Sequence, residues 1–136
     1  MIQVLALGVL LLSGRIEPQA AVDLARYQQD HPVTTLVLRS PGGDLQTALL
    51  LGDMVRAWGT VTAVPAGATC ASACAVVWRS AAQRSAGEGA RIGLHTPRGQ
   101  VATMVDWARA VGLDDGDIVA MLRAGPSEMY WLEPEQ

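Results

Sequence analysis

The stretch Thr34–Gly59, TTLVLRSPGGDLQTALLLGDMVRAWG, decides the architecture of this 136-residue chain. Thr34–Leu38 is β-branched and apolar, is bounded by turn residues, and reads as a central buried strand. Pro41 biases Ser40 toward extended backbone, so the strand ends at a defined point. Gly42 and Gly43 permit positive φ and leave their N–H groups unshielded, able to approach a ligand. Asp44 suits an N-cap; Leu45, Ala48, Leu49, Gly52 and Val55 then share one helical face, with Gly59 just past the end. Strand, glycine turn and helix in that order predict one unit of an α/β protein with a largely parallel sheet.

The alternation extends in both directions. Ile2–Leu7 and Val9–Leu12 are expected as short strands bent at Gly8, and Pro18 opens a helix that His31-Pro32 stops near Asp30. Downstream, Thr60–Val64 predicts a strand, Pro65–Thr69 a small-residue loop, and Cys70–Arg79 the beginning of a helix of tiny side chains. Gly87–Gly89 turns the chain into a strand over Arg91–His95, and helices follow over 101–111 and 115–124, closed by Gly125-Pro126. No sequence repeat, low-complexity stretch or linker divides the chain, so one domain over residues 1–136 is expected.

Composition narrows the chemistry. Half of the residues are hydrophobic and only 17% are charged, which leaves room for a buried sheet and a subunit interface. The net charge is −3 with no basic run, so nucleic acid is not an expected partner. All ten cations are arginine, which excludes a Ser–Lys dyad and a Schiff base. The apolar run from Val4 falls short of the ~20 residues that a membrane span needs, and reads as strand rather than targeting segment. As written the chain is expected in the cytoplasm, or exported if its true start lies upstream.

Three short motifs carry chemistry. In Cys70-Ala71-Ser72-Ala73-Cys74 a serine hydroxyl sits among small residues where the chain enters a helix, whose first-turn N–H groups have no partner of their own. Gly42 and Gly43 offer backbone donors at the Gly-Gly turn. Ile92-Gly93-Leu94-His95 ends an apolar strand on one of the two histidines. A serine hydroxyl needs an adjacent base, and His95 is better placed than His31, which lies at a surface helix end. Each motif alone also has a bland reading, as a tight turn, a capping serine or a core histidine; their conjunction points to a hydrolase. The two cysteines lack a His or Asp cluster and make poor zinc ligands, so no metal or other cofactor is expected. They can line the packed first turn, form a disulfide if the chain is exported, or supply the nucleophile in place of Ser72.

In this order the three motifs resemble the Clp peptidase branch of the Clp/crotonase superfamily, within it a group of short, often exported bacterial Clp-like proteins. The resemblance runs from the first strands and Gly14-Arg15-Ile16 to the tail Met129–Glu135. It implies a spiral of ββα units, short at its C-terminal end against the family. It also implies Ser72 as nucleophile, His95 as general base, and the N–H groups of Gly43 and Ala73 as the oxyanion hole. A peptide or protein substrate, a homo-oligomer and an unfoldase partner follow from the same likeness. The family's third triad member, an acid, aligns near Gly125; Glu128 is the nearest substitute, with Asp114, Asp115 and Asp117 as others. Two further readings stay open: an inactive assembly or peptide-binding module, and an acyl-CoA-binding crotonase-like enzyme.

Overall fold

Period-two burial organises the sheet. The computed structural model describes residues 1–133, as strands β1 (Ile2–Ala6), β2 (Val9–Ser13), β3 (Thr35–Arg39), β4 (Val61–Val64), β5 (Thr69–Ala71), β6 (Arg84–Ala86), β7 (Arg91–Leu94) and β8 (Tyr130–Trp131). The helices are α1 (Pro18–Asp30), α2 (Leu45–Trp58), α3 (Ala73–Ser80), α4 (Val101–Ala110) and α5 (Asp115–Ala124). Alternate residues Leu10, Leu12, Leu36, Leu38 and Val64 face the core and are buried. Their neighbours Val9, Leu11, Val37, Val61 and Ala63 face outward and are half-buried. Leu24 of α1, Leu51 and Val55 of α2, and Trp78 of α3 complete the core. Each such aliphatic side chain contributes roughly 1.5–3 kcal/mol by leaving water.

The first sheet runs β1-β2-β3-β4-β6, a hairpin of β1 and β2 followed by parallel pairings. A second, smaller sheet runs β5-β7-β8, with β5 parallel to β7 and β8 antiparallel to it. Single bridges, Ile16 with Gly43 and Ser40 with Cys70, extend this second layer. With them the repeat becomes visible. Each turn lays a strand in the first layer, a short extended piece in the second, and then a helix: β2, Ile16, α1; β3, Ser40 to Gly43, α2; β4, β5, α3; β6, β7, α4. This is the α/β architecture with a mostly parallel sheet that the alternation predicted.

The differences are local. Cys70 and Ala71, expected in a helix, lie on β5, and α3 begins only at Ala73. A three-residue strand has no periodicity to read; its pairing with Ile92 and Gly93 decides it. β6 and β8 were missed for the same reason. Pro134 and Glu135, in the expected tail, lie outside the described residues. Among the described residues no helix is long and apolar enough to cross a membrane.

Candidate active site

Three successive turns of the spiral deliver the site from the same point, where the second-layer piece gives way to the helix. That point is Gly43 in one turn, Ser72 in the next and His95 in the third.

At the first, Ser40 is buried and its Oγ donates to the Gly14 carbonyl at 2.6 Å while accepting from Gly42 N–H at 3.1 Å. Ile16 N–H donates to the Gly42 carbonyl and Asp44 N–H to the Ile16 carbonyl. A parallel bridge of this kind turns the N–H of the residue between, Gly43, to the other side. So only Gly43, not both glycines, presents an unused donor, and it lines the cleft beside Ser72 and His95. Glycine is required here: φ is 153°, and a Cβ would sit 2.3 Å from the Ile16 carbonyl oxygen. Asp44 caps α2 by accepting from the hydroxyl and the backbone N–H of Thr47. Those two hydrogen bonds, the hydroxyl's first, hold its carboxyl below the usual carboxylate range against a small opposing effect of burial, with help from Arg15.

At the second, the chain turns sharply from β5 into α3. Ser72 has φ 58° and ψ −124°, and is the one non-glycine residue with positive φ among those described. Such a conformation costs about 1–3 kcal/mol and persists only where its surroundings enforce it. Ser72 N–H donates to Gly93 O at 2.8 Å, and its carbonyl accepts from Ala75 N–H at 2.9 Å. Gly42 presses on it from the previous turn, where a Cβ would come within 2.9 Å of Ser72 Cβ. A disulfide between Cys70 and Cys74, both buried, clamps strand to helix across the bend. It leaves neither thiol free as a nucleophile. Ala73 N–H, the first of the helix, has no intrahelical acceptor within reach.

At the third, buried Ile92 and Leu94 anchor β7 and hold His95 at its end. His95 Nε2 lies 2.7 Å from Ser72 Oγ, and Nδ1 lies 3.1 Å from the Gly125 carbonyl oxygen. That carbonyl is the group sequence reasoning missed. Glu128, the acid expected there, is exposed and lines a separate cleft with Val119, Arg123 and Tyr130. The other acids are engaged elsewhere: Asp114 caps α5 at Asp117 N–H, Asp115 faces Arg109 at 3.6 Å, and Asp117 accepts from Tyr130 Oη at 2.6 Å.

Ser72 and His95 open on a cleft of about 500 Å³ walled by Arg15, Pro41, Pro97 and Met129. Behind Ser72 a pocket of about 20 Å³ is lined by Leu45, Val76, Pro97 and Met104. Among the described residues no three His, Cys, Asp or Glu side chains gather as a metal site would require.

The sequence matches no protein-family profile and no curated protein. Solved structures do share its fold. ClpP1 from Listeria monocytogenes is similar at a TM-score of 0.72 and 18% identity, over 94% of this chain and 84% of that one. The ClpP protease catalytic domain from Plasmodium falciparum follows at 0.67 and 15%, over 93% and 77%. The 1510-N membrane protease specific for a stomatin homolog, from Pyrococcus horikoshii, stands at 0.65 and 18%, over 92% and 65%. The chain thus has the ClpP fold, and it spans less than two thirds of that stomatin-specific protease.

Proposed function

We propose that this protein is a serine peptidase that works through an acyl-enzyme. The observation that carries the reading is the 2.7 Å contact between Ser72 Oγ and His95 Nε2, made at a strained elbow between two unpartnered backbone donors. As Ser72 Oγ bonds to the substrate carbonyl carbon, its proton passes to Nε2. The carbonyl π electrons move onto oxygen, and the oxyanion accepts from Gly43 N–H and Ala73 N–H. Collapse breaks the carbon–nitrogen bond, and Nε2 returns the proton to the leaving amine. Water, deprotonated by the same nitrogen, then attacks the ester, and Ser72 leaves with its proton restored.

Two surroundings shape the substrate. The small apolar pocket behind Ser72 favours a short side chain next to the scissile bond, since one methylene in such a pocket changes binding by roughly 1–3 kcal/mol. The open cleft suits an extended peptide more than a small acyl group. Exposed Val4 and Leu5 on β1, and Leu7 in the turn after it, support self-association of the folded chain. The disulfide supports an oxidising compartment.

Fluorophosphonate labelling of the purified protein tests the reading. Wild type is expected to label at Ser72, and Ser72→Ala and His95→Ala to abolish labelling while remaining folded. A folded, assembled wild type that does not label overturns it.

A further inference from the structure

The contact between His95 Nδ1 and the Gly125 carbonyl, 3.1 Å long, fixes more than the position of the ring. A carbonyl oxygen only accepts, so Nδ1 must carry the imidazole proton, and Nε2 faces Ser72 Oγ with its lone pair. In a Ser–His–acid triad a buried carboxylate does this work. We propose that the Gly125-Pro126 pair is the positioning element of this site, holding His95 in the base-competent tautomer with a backbone carbonyl in place of an acid. The proposal rests on the serine-peptidase reading above.

The aim of that carbonyl is written in two residues. α5 ends at Ala124, and Gly125 adopts φ 65° and ψ −161°, a region that is essentially closed to residues with a Cβ. Pro126 disfavours helical ψ in the residue before it, so the chain cannot run on as helix and leave the carbonyl along the α5 axis. Glycine supplies the positive φ and proline the extended ψ; together they swing the carbonyl out to the ring. The loop on the other side is tied as well, since Thr96 Oγ1 donates to the Met121 carbonyl at 3.2 Å, joining the residue after His95 to α5. A Cβ at position 125 would meet nothing within 4 Å. Substitution there therefore perturbs the backbone torsion and little else.

The chemistry differs from that of an acid in one respect. A neutral carbonyl selects the tautomer and orients the ring, yet brings no negative charge to the imidazolium formed when Ser72 attacks. The site keeps the orienting half of the third member's role and forgoes the electrostatic half.

Nitrogen-15 NMR of histidine-labelled full-length protein, run at alkaline pH with His31→Gln to leave one ring, reads the tautomer directly. Wild-type His95 is expected as the Nδ1–H form. Gly125→Ala and Pro126→Ala are each expected to give a mixture with the Nε2–H form. Each should also slow the maximal fluorophosphonate labelling rate about 10-fold to 10²-fold, below the ~10⁴ of an outright tautomer reversal. Half-saturation should stay within about twofold, because the carbonyl acts on the ring and not on bound ligand. Pro126→Ala, which keeps the glycine, guards against a folding defect in Gly125→Ala. A wild-type ring in the Nε2–H form, or variants with unchanged tautomer and rate, would falsify the proposal. The tautomer is read without turnover, so a protein that fails to label but shows Nδ1–H loses the peptidase reading while the carbonyl's hold on the ring is upheld.

Discussion

Ser72 and His95, the proposed nucleophile and base, are held in opposite ways. Ser72 sits at a bend fixed from all sides: β5 pairs on one edge with β7, Gly42 presses from the preceding turn, α3 starts at the next residue, and a buried disulfide spans the corner. His95 stands on a well-anchored strand, but its ring is oriented on the far side by one carbonyl in a half-exposed turn. A strained backbone needs many constraints to persist, so the elbow must be over-determined. A ring orientation needs one hydrogen bond beyond the contact with Ser72, and the Gly125 carbonyl is that one. Defects at the elbow should therefore appear as lost stability together with lost activity, and defects at the relay as lost rate in a stable protein.

The largest effect is expected of Gly43→Ala. Its Cβ would overlap the Ile16 backbone, pushing a donor out of the site on which the elbow closes. Labelling should fall by at least the 10²–10³ expected for one oxyanion donor, with a lowered thermal midpoint in calorimetry. Next is the paired change Cys70→Ala with Cys74→Ala. Closing so short a loop is worth about 2 kcal/mol by chain entropy, read as a shift of the urea midpoint. Activity should fall too, since the positive φ of Ser72 loses its clamp.

A smaller effect is expected at Asp44, which caps the helix behind Gly43. Asp44→Ala should cost about 1 kcal/mol, the usual worth of such a cap. Because its carboxyl is held below its ordinary range in the fold by the two Thr47 hydrogen bonds, its contribution is complete at neutral pH. It is lost as pH falls through the lowered pKa. Wild type and Asp44→Ala should therefore converge in stability in acid, and denaturation midpoints across pH would show it. The smallest effect sharpens the relay side. Glu128→Gln should change labelling less than about twofold and stability by under ~0.5 kcal/mol, as expected for an exposed side chain when the Gly125 carbonyl faces Nδ1. A large loss of rate there would mean that an acid, and not the Gly125 carbonyl, serves the histidine.

Much of this was legible along the chain. Helices with a strong start signal were placed well, α1 at Pro18 and α5 at Asp115, because capping and periodicity are local. That Ser72 and His95 would meet was legible in three motifs taken together; the roles of Gly43 and Ala73 came only through the resemblance. The repeat of ββα turns was legible only through the resemblance, since each turn reuses a geometry with different residues and leaves no repeat in the letters. Nor were the short strands β5, β6 and β8, whose hydrogen bonds come from partners distant in sequence.

By itself, then, the sequence determined which side chains this site could use: one serine among small residues, one histidine after an apolar strand, and a glycine pair before a capped helix. Only the tertiary structure decided their arrangement. It placed three successive turns so that their helix entrances converge, gave Ser72 its positive φ, and brought a carbonyl from the end of α5 to Nδ1. The reason is physical: side chains are spelled in the sequence, but a backbone carbonyl is the same in every residue. Which one meets the histidine depends on where the spiral brings the chain.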